Sequence, residues 1–103
     1  MAHTLSSLLP FKIFVVHGHS MEPTLREGDR VLALTWCYLL SKPKKGEIIV
    51  FKDAEQTHDK YIIKRISKVQ GHSISVKGDN KHDSLKLKAI KQLHIIGKVI
   101  RKY

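Results

Sequence analysis

A chain of 103 residues, 42% of them hydrophobic, buries one modest core and leaves no room for a second large domain. Its 19 Lys+Arg against 9 Asp+Glu give a formal charge of +10, which favours anionic partners without choosing among headgroups, nucleic acid and acidic proteins. The single cysteine, Cys37, excludes an internal disulfide and a cysteine-based zinc site.

Residues 1–10 form a short lead-in to a single domain over 11–103. "FKIFVVHG" (11–18), rich in β-branched and aromatic residues, predicts a strand ending at Gly18. "MEPTLREGD" is a loop, with Pro23 against a helix and Gly28-Asp29 as a turn. "RVLALTWCYLL" (30–40) predicts a strand with a bent continuation, closed by the polar turn "SKPKKGE". "EIIVFK" (47–52) is a strand and 53–59 a connecting loop. "KYIIKRISKV" and "HSISVKG" predict a hairpin around Gln70-Gly71, followed by the turn "DNKHD". "SLKLKAIKQL" (84–93) predicts a short helix or irregular chain, and "HIIGKVIRKY" a closing strand. The expected fold is mainly β: a small, partly closed, barrel-like domain with coiled antiparallel sheets.

No stretch predicts a membrane span. "LLPFKIFVV" (8–16) is interrupted by Pro10 and Lys12, and "VLALTWCYLL" (31–40) is also far short of the roughly 20 apolar residues required. "MAHTLSSLLP" lacks the basic region and small-residue cleavage site of a secretory signal. The expected location is cytoplasmic or peripheral to a membrane.

"VVHGHSMEPTLREGDR" (15–30) places Ser20 where a strand meets a loop. A serine nucleophile needs a group to remove its proton, and "DKYIIKRISK" offers one. In a strand, Ile62, Lys64 and Ile66 share one face, and Tyr61, Ile63 and Arg65 the other. An ammonium among isoleucines is expensive to keep charged, and a neutral lysine amine is a competent general base. Ser20 with Lys64 would be a Ser-Lys dyad. Against this stands the ordinary reading, in which the lysine snorkels to the surface and the serine bonds local backbone.

Both residues sit in longer patterns. "GHSMEPTLREGDRVLA" resembles the nucleophile box of the type I signal peptidase family, G-x-S-M-x-P-T-L-x-x-G-D. "KPKKGEIIVFK" is similar to the segment that follows it, "YIIKRI" to the lysine box, and "VKGDNKHDS" to the G-D-N…D-S box, all in family order. The resemblance implies a signal-peptidase-like fold and a serine endopeptidase that removes a leader from a precursor protein, without a cofactor or metal. By position, Ser20 would be the nucleophile and Lys64 the base, the lysine pointing to the bacterial and organellar branch. The Ser20 N–H would serve the oxyanion hole, Gly18 stands where many relatives place a second donor, and Met21 would flank the dyad. Arg65, Asp79, Asn80, Asp83 and Ser84 would support the lysine and its loop. The third box departs from the pattern: its spacer is short, Lys81 falls where a supporting serine is expected, and Leu85 replaces an arginine. A short form without an anchoring helix is most similar to the maturation proteases of nickel superoxide dismutase. The alternative is a basic binding module that keeps the fold without the chemistry.

Other constellations are weaker. His17 and His19 share a strand face but make at most half a metal site. "HDS" (82–84) is too local for a catalytic triad. The C-terminal lysines predict a solvated basic face or peripheral contact with an anionic membrane; no nucleic-acid partner is expected without clustered aromatics.

Overall fold

The computed structural model describes residues 10–52, 61–82 and 88–102; nearly all of the 1–10 lead-in, the 53–59 loop, and Asp83 and Ser84 lie outside the described residues. Within them are seven strands: β1 (Phe11–Val15), β2 (Arg30–Leu34), β3 (Ile48–Lys52), β4 (Tyr61–Gln70), β5 (Ser73–Lys77), β6 (Lys88–Lys91) and β7 (Ile95–Lys102). They form one unclosed sheet in the order β1-β2-β7-β3-β4-β5-β6, with every neighbouring pair antiparallel.

The hydrophobic alternation in the central strands sends side chains into two cores. On β3, Val50 joins Phe14, Val16, Met21, Leu25, Val31 and Ala33, while Ile49 and Phe51 join Ile66, Ile74, Val76 and Ile90 on the other side. β4 divides in the same way, with Ile63 packed on the first cluster and Ile62 and Ile66 on the second. Ile49, Val50 and Phe51 are fully buried, and removing each such side chain from water contributes roughly 1.5–3 kcal/mol. Burial on both faces makes β3 the centre of the fold.

Register irregularities lie between Leu32 and Ala33, Val50 and Phe51, and Ile66 and Lys68. Such bulges bend a strand and increase its twist. The coiled sheet brings β1 over β4, although three strands separate them in sheet order. The rings of Phe14 and Tyr61 meet edge-on at 5.2 Å and 68°. The cleft between these two strands holds the site.

Two sequence expectations need correction. The continuation of β2 is a helical turn, α1 (Cys37–Leu40), not a bent strand. Tyr38 anchors it by donating to Glu47 Oε1 at 2.7 Å, and Lys98 pairs with Glu47 Oε2 at 2.9 Å. The segment expected to be a short helix or irregular contains an edge strand, β6, followed by a 3-10 turn at Gln92–His94. Pairing with β5 supplies the backbone partners that an isolated helix would have supplied internally.

Candidate active site

The chain leaves β1 at Val15 and returns to β2 at Arg30 through a hydrogen-bonded loop. Val16 N–H donates to Asp29 O at 2.8 Å and Gly28 N–H donates to Val16 O at 2.9 Å, closing the loop at its base. Leu25 N–H donates to Met21 O at 2.9 Å, and Met21 and Leu25 are both buried in the first core. These two side chains fix the loop to the protein body and leave Ser20, just before Met21, partly exposed. Gly18 has φ +81, a left-handed conformation that suits glycine.

Ser20 and Lys64 line the same cleft, of about 780 Å³, between β1 and β4. Gly18 and Met21 line it as well, with Phe14 and Tyr61 further along. On β4, Lys64 lies opposite Ile49 of β3 and is partly buried.

Residues 78–80 hold the loop that carries Ser20. Asn80 N–H donates to Ser20 O at 2.8 Å and Asn80 Nδ2 donates to His19 O at 2.9 Å. Gly78 lies so close that a Cβ there would come within 2.3 Å of Ser20 O, nearer than non-bonded atoms approach. Asp79 connects this segment to both sides of the cleft. It accepts from Arg65 Nε and an Arg65 terminal nitrogen, each at 2.8 Å, and from Thr24 Oγ1 at 2.6 Å. Arg65 also donates to Gly46 O at 2.6 Å. The two-pronged Arg65 bond is the main cause that holds the Asp79 carboxyl below its usual range, against its partial burial, and Asp79 in turn raises Arg65. Arg65 follows Lys64 directly, so the strap ties the lysine strand to the serine loop.

The structure thus brings Ser20, Lys64, Gly18 and Met21 to one cleft, and Arg65, Asp79 and Asn80 to the clamp behind it. Lys81 is exposed. His19 is exposed, with Nδ1 against Glu22 Oε2 and Nε2 3.8 Å from Glu27. No group of three metal-ligating side chains occurs among the described residues. Two contributors were not assigned a role from sequence: Thr24, a strap partner, and Gly78, whose missing side chain permits the close approach. Both lie inside the quoted boxes, but their contacts span 55 and 58 positions along the chain, beyond what local pattern shows.

The sequence profile described as "Signal peptidase, peptidase S26" matches residues 1–100. The chain belongs to the signal peptidase family. Among curated relatives, it is 35% identical over 69 residues to signal peptidase I of Bacillus amyloliquefaciens, covering 67% of this chain and 35% of that one. It is 37% identical over 70 residues to a probable signal peptidase I-2 of Synechocystis, covering 63% of this chain and 32% of that one. Signal peptidase IB of Staphylococcus aureus is 33% identical over 66 residues, covering 64% of this chain and 33% of that one. The chain therefore spans about a third of the length of these signal peptidases. No solved structure matches.

Proposed function

We propose that this chain is a serine endopeptidase that removes an N-terminal leader from a precursor protein, with Ser20 as nucleophile and Lys64 as general base. The observation that supports it is that these two residues, from separate boxes, line one cleft. The neutral Lys64 amine takes the Ser20 hydroxyl proton as Oγ attacks the scissile carbonyl. The Ser20 N–H donates to the developing oxyanion. Lys64 then returns the proton to the leaving amine, leaving the leader as an ester on Ser20, and finally activates the water that hydrolyses the ester. Arg65, Asp79 and Asn80 act as positioning residues; Asp83 and Ser84 complete the same box in the proposed arrangement.

The substrate lies in the cleft as an extended strand. β1 is an edge of the sheet and can pair with an added strand. The nickel superoxide dismutase precursor is the proposed substrate that follows from the sequence resemblance. Incubating purified protein with that leader-bearing precursor tests the reading by intact mass. Wild type should release the leader, and Ser20→Ala and Lys64→Ala should each reduce the rate by at least about a thousandfold. Binding without cleavage by wild type would instead support a catalytically silent binding module.

We also propose peripheral contact with an anionic membrane. Among the described residues no helix is long and apolar enough to cross a membrane. At α1, however, Trp36, Leu39 and Leu40 are 46%, 80% and 94% exposed, beside Lys42, Lys44 and Lys45. Exposed aromatic and aliphatic groups next to cations suit the headgroup region of a bilayer. Co-sedimentation with phosphatidylserine vesicles should fall about tenfold for Leu39→Ser/Leu40→Ser; an unchanged partition would exclude this face.

A further inference from the structure

The outer face of β4, β5 and β6 is cationic. The register puts Arg65 opposite Lys77 and Lys68 opposite Ser75. Across the next pair, Ser73 lies opposite Lys91 and Ser75 opposite Ala89. Paired residues share a face, so these side chains lie together, on the side away from the buried Ile66, Ile74, Val76 and Ile90. Lys68, Ser73, Lys77, Ala89 and Lys91 are exposed. Among the described residues, the side chains of Lys68 and Lys91 form no hydrogen bond or ion pair. None of the three strands contains Asp or Glu.

The face begins at Arg65, whose guanidinium holds Asp79 in the clamp behind Ser20. From Lys77 it runs along β5 to Ser73, or roughly 13 Å at strand spacing, and its three strands make it roughly 10 Å wide. Small residues form its floor and lysines its rim. An extended main chain can therefore lie flat on Ser73, Ser75 and Ala89 while acidic side chains reach the ammonium groups. Nucleic-acid bases stack on aromatic rings and a bilayer takes up apolar side chains; these positions supply neither, unlike α1. We propose that this face is a docking site for an acidic stretch of the precursor outside the leader, so that substrate is selected by a second contact away from the cleft. The inference rests on the peptidase reading for the partner's being a precursor.

The binding probe is a fluorescein-labelled ten-residue peptide alternating Glu with Ser, compared with its Gln counterpart by anisotropy on the Ser20→Ala protein. The Glu peptide should bind at least about tenfold more tightly, a preference that weakens as NaCl is raised. Lys68→Glu/Lys91→Glu should lower its affinity by about tenfold or more. Lys42→Glu/Lys45→Glu, with the same change in net charge near α1, should lower it by less than about twofold. Equal loss in the two double variants, or equal binding of Glu and Gln peptides, overturns the face. Loss of a DNA duplex or of phosphatidylserine vesicles in Lys68→Glu/Lys91→Glu, with the peptide retained, assigns the face to those partners and overturns this one. For turnover, leader peptides are extended beyond the cut by the Glu or Gln stretch through Gly-Ser spacers of four, eight or twelve residues. With one of these spacers, wild type should show a KM about three- to tenfold lower for the Glu form at equal kcat. The plain leader should be cleaved equally by wild type and Lys68→Glu/Lys91→Glu. A KM indifferent to the stretch at every spacer overturns its part in substrate choice. Selective binding through Lys68 and Lys91 without cleavage keeps the docking face and removes the peptidase reading. Cleavage of every leader without selective binding does the reverse.

Discussion

Ser20 is held in place chiefly through its backbone. Its carbonyl accepts from Asn80 and its chain lies against Gly78, so the placement of the hydroxyl depends on residues 58 and 60 positions away. A methyl group at position 78 would have to push the loop away from the 78–80 segment. Gly78→Ala is therefore expected to lower kcat by at least tenfold while destabilising the protein by about 1–3 kcal/mol. That corresponds to a fall in Tm of several degrees for a domain of this size. Kinetics combined with thermal melting tests this; unchanged activity would mean that the loop tolerates displacement. At this scale the sequence was informative about which residues come together at the candidate site. Ser20, Met21, Lys64 and Asp79 were legible because each stands in a short recurring pattern. Thr24 and Gly78 were not, because their significance lies in contacts between distant segments.

The elements make the geometry. β4 carries Lys64 and Arg65 at successive positions, and strand alternation directs neighbouring side chains to opposite faces. This pattern was legible from "YIIKRI", and the two cores bear out the division of Ile62 and Ile66 from Ile63. The Arg65–Asp79–Thr24 strap then joins β4, the 78–80 segment and the serine loop. Asp79 has a folded pKa below its unfolded value, with Arg65 as the leading cause. Its stabilising contribution is therefore fully present above the ordinary carboxylate pKa of about 3.9 and is lost as pH falls through the lower folded value. Asp79→Asn should lower stability at pH 7 by about 1–3 kcal/mol, and the difference from wild type should shrink below about pH 4. Urea titrations across that range measure it, and a gap independent of pH would show that the charge is immaterial. The elements misread from sequence have a physical explanation too. "LKLKAIKQL" alternates in a way compatible with helix or strand, and only pairing with β5 decides for β6. "WCYLL" is apolar enough to read as a strand, but the Tyr38–Glu47 contact, set by the next turn, favours a helical one.

At the scale of the whole molecule, the sheet's coil converts sequence order into a cleft. β1 and β4 are remote in the sheet order, yet Phe14 and Tyr61 touch, and Ser20 and Lys64 line the space between their strands. A mainly β domain of antiparallel strands was legible from strand-sized segments and turn residues. The particular wrap was not, because it depends on three local register shifts that composition does not encode. The most direct measurement of the central claim is acid quenching of wild-type protein during turnover of a leader peptide, followed by peptide mapping by mass spectrometry. The leader fragment is expected attached as an ester to Ser20, with no such adduct in Lys64→Ala. Continued leader release by Ser20→Ala, or a leader adduct mapped to another residue, would contradict it.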